Sequence, residues 1–168
     1  DSVPALIAAE ARAVIASGDG SRTIAVADVV TGPGQTSLAD GEFIVEFEID
    51  DVPANTGDAY LRMIPRTEMD IAVVGAAVRL TMDGDTVSDA RVVLAAVAPT
   101  AVRVPDAEAA LVGSTLDDNT LAAVSAAAAA ACNPIDDKRG TIEYRTQVAG
   151  VLAKRAAVIA ANRAQNGA

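Results

Sequence analysis

IAVVGAAVRLTMDGDTVSDARVVLAAV, running from Ile71 to Val97, is the stretch that decides the fold. Ile71 to Met82 is rich in Val and Ala, and Val87 to Val97 repeats that character after Asp83-Gly84-Asp85. Runs of this length and composition, punctuated by an Asp-Gly turn, predict two antiparallel strands joined as a hairpin. Tyr60 to Ile64 just upstream is strand-like as well. Three antiparallel strands are therefore expected between Tyr60 and Val97.

Downstream the pattern turns helical. Ala107 to Val112 predicts a short helix that Gly113 can stop with a left-handed cap. Thr115 is placed to cap the next helix, with Asp117 and Asp118 in its first turn at the positive dipole end. That helix should run through the alanines to about Ala131 and end at Asn133-Pro134. The small side chains of the alanine run predict close backbone packing rather than low complexity. A final helix is expected from Ile142 to Ala164. On its wheel, Tyr144, Val148, Val151, Leu152, Val158 and Ile159 share one broad apolar face. Arg155 falls in the middle of that arc. A buried guanidinium needs a partner, so Asp70, Asp136, Asp137 or helix C-terminal carbonyls are expected against it.

Upstream, Pro4 marks the start of a short helix that Asp1 or Ser2 can cap. Ala13-Val14-Ile15 reads as a strand or as the end of that helix, Gly18-Asp19-Gly20 as a turn and Thr23 to Val26 as a strand. Thr31 to Thr36 is read as a loop. Glu42 to Ile49 alternates: Phe43, Val45, Phe47 and Ile49 fall on one side, and Glu42, Ile44, Glu46 and Glu48 on the other. Ile44 is the apolar exception on that acidic side. Asp51 to Asp58 is read as a second loop.

Composition narrows the chemistry. Hydrophobic residues make up 51% of the chain but aromatic ones only 2%, so the core must be aliphatic. Thirteen basic against 23 acidic side chains give a net charge of -10, which repels phosphate backbones and argues against nucleic acid as a partner. The chain has no His and one cysteine, Cys132. Ser-His and Cys-His nucleophiles, disulfides and thiolate metal clusters are thereby excluded on this chain. Cys132 reads as a small buried hydrophobe, in keeping with a reducing, cytoplasmic compartment. No apolar run reaches the ~18–20 residues of a membrane span. No catalytic residue set and no metal site emerge from the pattern. The opening at Asp1, without an initiator Met, suggests a chain cut from something longer.

Several segments in order resemble one family. Tyr60-Leu-Arg-Met-Ile-Pro-Arg-Thr-Glu-Met-Asp-Ile-Ala72 resembles the Y/F-x-K-x-x-x-R-x-x-x-D-x-A segment of the flavin subunits of molybdenum hydroxylases. Asn133 to Arg145 resembles their P-x-x-D-x-R-G-S-x-x-Y-R segment, with Thr141 for Ser. Gln147 to Arg155 is similar to their last helix, and Ala39 to Phe47 to their L-x-x-G-E strand. Asp1-Ser-Val-Pro-Ala5 is similar to the S-D-L-x-P step, with Ser2 for Leu. The chain thus resembles the C-terminal half of the FAD-binding (medium) subunit of the xanthine dehydrogenase / carbon monoxide dehydrogenase family.

The resemblance implies an α+β fold. Residues 1–65 would close an FAD-binding α+β domain. Residues 66–168 would form a three-stranded antiparallel sheet packed on a small helix bundle. It implies an oxidoreductase subunit that passes electrons from iron–sulfur clusters through FAD to an external acceptor. The molybdenum cofactor would lie on a large partner subunit and the iron–sulfur clusters on a small one. The FAD site would be shared with the N-terminal half of the flavin subunit. By position, Asp1 would meet the ribityl and phosphate side of FAD, Ile44 would pack on the isoalloxazine ring, and Arg62, where the family has Lys, would sit beside the ring. The Gly-rich pyrophosphate loops of the family do not occur in this sequence, so weak FAD binding by the fragment is expected. The alternative from another class is a subunit-docking module that holds no flavin.

Overall fold

The computed structural model describes residues 1–67 and 70–166. Helix α1 (Val3–Ala8) begins with Pro4 in its first turn, where a missing N–H costs nothing. Glu10 turns the chain with φ 57°, and strand β1 (Arg12–Ser17) follows. So Ala13-Val14-Ile15 is strand rather than helix end. Strand β2 (Gly20–Ala25) pairs back on β1 antiparallel. A 3-10 turn over Val26–Asp28 ends it one residue earlier than expected. The Thr31 to Thr36 stretch is a miniature hairpin rather than a plain loop, with β3 (Val30–Gly32) paired to β4 (Gln35–Thr36).

Strand β5 (Phe43–Glu48) takes the other side of β1, giving the order β2-β1-β5. A bulge interrupts it. Ile44 lies opposite Ile15, whereas Glu46 lies opposite Val14, which leaves Val45 as the extra residue. A bulge flips the side-chain parity on either side of it. Phe47, opposite Ala13, and Ile44, opposite Ile15, therefore share one face, and Phe43, opposite Ala16, belongs to the other. The simple alternation expected for Glu42 to Ile49 does not hold.

The second sheet is larger. Strand β6 (Thr56–Met63) pairs with β7 (Val74–Asp83), β7 with β8 (Thr86–Ala95), and β8 with the two-residue β9 (Val102–Arg103), all antiparallel. The expected three long strands are present, and β9 extends them. Asp83 lies opposite Thr86, so Gly84 and Asp85 form the turn, with Gly84 at φ 59°. One face of this sheet carries Ala76, Val78, Leu80, Val92 and Leu94 into the main core. The opposite face presents Ala77 and Val93 to α1, where Ala8 meets them.

Three helices complete the layer. Helix α2 (Pro105–Leu111) stops before Gly113, which has φ 82°. Helix α3 (Asp118–Ala130) is capped by Asp117, whose carboxylate accepts from the Thr120 N–H at 2.8 Å, so the cap is Asp117 and not Thr115. Helix α4 (Ile142–Asn166) buries Ala149, Gly150, Ala153, Ala156, Ala157, Ala160 and Ala164. Tyr144, Val151 and Val158 are instead exposed. Leu152 is buried and Val148 and Ile159 pack against the core as expected, so the buried arc is shifted toward the alanines and not lost. The reason is distance: α4 approaches both the sheet and α3 so closely that small residues fill most of its seam. A Cβ added at Gly57 would come within 2.3 Å of the Ala160 carbonyl oxygen, and one at Gly150 within 2.7 Å of the Ser125 carbonyl oxygen.

The buried guanidinium is a different one as well. Arg155 is exposed. Arg145, 4% exposed, lies one helical turn before Ala149 on the buried face. Its Nη2 donates to Asp137 Oδ1 at 2.7 Å, and its Nη1 to the carbonyls of Val73 at 2.7 Å and Ala96 at 3.1 Å. Of the three carboxylates expected, Asp137 is the partner, Asp136 is exposed, and Asp70 pairs with Arg66 and Arg139.

Candidate functional site

Asp1 and Arg62 are 61 residues apart, and the fold brings them together. Strand β6 carries Arg62 on the face that α1 covers, two residues beyond Tyr60 and therefore on its side of the sheet. The start of α1 sets Asp1 beside it, and the Arg62 Nη1 donates to the Asp1 Oδ2 as an ion pair. The other oxygen, Oδ1, accepts the Ala72 N–H at 3.0 Å. The Asp1 carboxylate thus ties the first helix to β6 and to the segment entering β7. The N-cap of α1 is Ser2, which makes no side-chain cap bond. Arg62 keeps 39% of its side chain exposed, so part of the cation faces outward.

Tyr60 is a member of this cluster that the sequence did not single out. Its hydroxyl is enclosed and makes no hydrogen bond among the described residues. A Cβ at Gly75, the cross-strand neighbour of Arg62, would meet that hydroxyl at 2.8 Å, so only glycine leaves room for it. Burial pushes the phenol above its ordinary value, and the nearby Arg62 charge opposes that shift. The signal was present as the i, i+2 spacing of Tyr60 and Arg62 on one strand.

Ile44 goes elsewhere. It is half-buried and packs on the small core of Ala11, Ala13, Val26 and Val29, next to Leu6 and Ile7 of α1. Its neighbour across the strands is Ile15, not an acidic residue.

Behind Ala72 lies an open cleft of about 290 Å³, lined by Ile71, Ala96, Pro99, Pro134, Ile135 and Arg139 among others. Asp70, next in the chain to the lining residue Ile71, holds Arg66 Nε at 3.3 Å and the lining residue Arg139 by its Nε at 3.7 Å. These cations, with the Ile71 N–H at 2.9 Å, hold the Asp70 carboxyl below its usual value although burial opposes them. Cys132 is a free, half-buried thiol just past α3; its Sγ donates to the Ala128 carbonyl at 3.2 Å, and burial raises its pKa. No group of His, Cys, Asp and Glu side chains among the described residues is arranged to hold a metal ion.

A flavin dinucleotide asks for an apolar wall, a donor or cation where the reduced ring gains charge, and backbone donors for its pyrophosphate. The orphaned Tyr60 hydroxyl beside a partly exposed Arg62 fits the ring end of such a group. The phosphate end has no Gly-rich cradle in this sequence.

The comparisons agree with one another. Residues 59–160 match the CO dehydrogenase flavoprotein C-terminal domain. The chain is 37% identical over 154 residues to the carbon monoxide dehydrogenase medium chain of Hydrogenophaga pseudoflava, covering 91% of this chain and 53% of that one. It superposes with a TM-score of 0.92 and 38% identity on a chain of the Hydrogenophaga pseudoflava carbon monoxide dehydrogenase that lacks the Mo-pyranopterin moiety of the molybdenum cofactor. That match covers 97% of this chain and 56% of the other. Quinoline 2-oxidoreductase from Pseudomonas putida 86 gives a TM-score of 0.89 at 30% identity, over 98% of this chain and 56% of the other. The chain therefore spans about half the length of the relatives it matches. With its antiparallel sheet, its helical layer and this matched span, the chain belongs to the CO dehydrogenase flavoprotein C-terminal domain family.

Proposed function

We propose that the chain is part of the FAD-carrying medium subunit of a molybdenum hydroxylase. It works beside a large molybdenum subunit and a small iron–sulfur subunit in the cytoplasm. When bound, FAD would accept electrons from the iron–sulfur clusters and release them to an external acceptor. The observation that carries this reading is the superposition on a carbon monoxide dehydrogenase chain along 97% of this chain. No described helix is long and apolar enough to cross a membrane, which agrees with a subunit working in water. The substrate would be chosen on the molybdenum subunit, outside this chain.

Within that reading, residues 1–65 close the FAD-binding domain and residues 66–168 form the C-terminal domain, with β6 leading from one to the other. Arg62 holds positive charge beside the flavin and favours its electron-rich reduced form. Asp1 orients Arg62 and accepts from a ribityl hydroxyl. Ile44 supplies apolar surface from the small sheet.

The test is a visible spectrum of the purified assembly, followed by flavin redox titration of Arg62→Met. Bands near ~450 nm, and a lower flavin potential in the variant, are the expected results. A flavin-free assembly that still holds its subunits together would leave the chain a docking module. A normal potential in the variant would remove Arg62 from the site.

A further inference from the structure

A cleft of about 580 Å³, twice the volume of the one behind Ala72, lies in the crease between the two sheets. The α1–β1 connection lines it with Glu10 and Arg12, and strands β8 and β9 line it with Arg91 and Arg103. Clefts of this size where two packed units meet are an ordinary seat for small ligands. The lining holds three guanidiniums, of Arg12, Arg91 and Arg103, against two carboxylates, of Glu10 and Asp50. That makes it a locally positive place on a chain of net charge -10.

Two of the three cations have donors to spare. Arg103 lies opposite Val93, and Arg91, two residues back along β8, shares its face of the sheet. The two are diagonal neighbours and repel each other. Glu108 takes the Nε and Nη2 of Arg103 at 2.8 and 2.9 Å, which leaves Nη1 without a described partner. Arg91 gives Nη1 to Asp89 at 3.2 Å and to the Ala90 carbonyl at 3.3 Å. Its Nε and Nη2 form the edge that a free carboxylate grips with both oxygens. Glu10 reaches only Nη2, at 2.8 Å, and the enclosed Nε has no partner among the described residues. Arg12, by contrast, is gripped through both Nη atoms by Asp50, at 2.9 and 2.8 Å. Glu10 is moreover an insecure occupant. Its side chain is 58% exposed, and its backbone sits at φ 57°, where a residue other than glycine is strained.

We propose that this cleft binds a short-chain dicarboxylate. One carboxylate replaces Glu10 on the Nε–Nη2 edge of Arg91, and the other accepts from Nη1 of Arg103. The methylenes between them lie on the apolar lining of Ile7, Ala11 and Ala101. Glu10, released, turns to solvent. Inorganic phosphate matches the charge but has no apolar body and does not span two guanidiniums. The site is independent of the flavin reading.

The test titrates the chain with succinate, following the arginine Nε–H resonances by NMR and the affinity by calorimetry. Saturation below about 10 mM is expected, with the largest shift at the Arg91 Nε–H. Arg91→Lys, which keeps the charge and loses the fork, should weaken binding about tenfold. Glu10→Gln, which removes the competing charge, should tighten it about threefold. Arg155→Gln, on the exposed side of α4, should change nothing. Acetate, with one carboxylate, should bind at least about tenfold more weakly than succinate. Any of four results would overturn the proposal: no saturation; the same shifts in sodium chloride of equal ionic strength; binding indifferent to both Arg91→Lys and Glu10→Gln; or inorganic phosphate binding as tightly as succinate.

Discussion

The β2-β1-β5 sheet and the β6-β7-β8-β9 sheet both carry large apolar side chains and leave them in opposite states. In the second, Val78, Leu80, Val92, Val93 and Leu94 are fully enclosed, because α4 lies on one face and α1 on the other. In the first, Phe43, Val45 and Phe47 stay about half exposed, because no described element lies over these side chains. Hydrophobicity sets what a strand can bury; the neighbouring layer sets what it does bury. A strand rich in Val and Phe is evidence of a core only when its cover is also encoded.

The sharpest way to test the robustness of the larger region is Arg145→Met. The substitution removes the donor that the carbonyls of Val73, Ala96 and Gly140 now share, while Asp137 keeps the N–H groups of Arg139 and Gly140. A loss of about 2–4 kcal/mol is expected from the buried carbonyls left without a donor, seen as a drop in thermal midpoint. Gly57→Ala should come next, at about 1–3 kcal/mol, because the new Cβ meets helix backbone and not a movable side chain. The contrast between the regions should itself appear in native-state hydrogen exchange. Amides of β1 and β5 are expected to exchange about 100-fold faster than those of β7 and β8. Equal protection would mean that the small sheet is stable without any cover.

The smallest effect is a pH dependence within the weaker region. The Arg22 hydrogen bond, aided by the Ala39 N–H, holds the Glu42 carboxyl down at about 2. A carboxyl depressed in the folded state stabilises it above the unfolded value of ~4.3 and loses that contribution as pH falls toward the folded one. Acid titration of Glu42→Gln, followed at β2 and β5 amides, should therefore lack the part of the transition between about pH 4 and pH 2. An unchanged acid profile would show that the Arg22–Glu42 pair does not couple these strands.

The hairpin was legible because two local signals agree there: β-branched runs on either side of an Asp-Gly turn, with Gly84 supplying the positive φ. Helix α4 was legible as a helix and in part in its orientation, since Val148, Leu152 and Ile159 do face the core. A wheel weights Val151 and Val158, whereas the close approaches at Gly57 and Gly150 favour small residues along most of the seam. The same error put the buried cation at Arg155. It is Arg145, although Asp137 was among the partners foreseen. The bulge at Val45 has no local signature, and it moved Ile44 off the face assumed for it. At the site, the i, i+2 spacing put Tyr60 and Arg62 on one face, but the Asp1–Arg62 pair and the packing over Tyr60 depend on how α1 docks across β6.

Arg145 also bears on the order of folding events. Its acceptors at Val73 and Ala96 lie 72 and 49 residues away, at the open end of the β7-β8 hairpin. Helix α4 can form locally, but its guanidinium finds those carbonyls only once the hairpin mouth has closed and the helix has settled on the sheet. The contact then belongs to the native side of the folding barrier. Stopped-flow measurements on Arg145→Met should show faster unfolding with nearly unchanged refolding, the mark of a bolt driven after the frame is assembled.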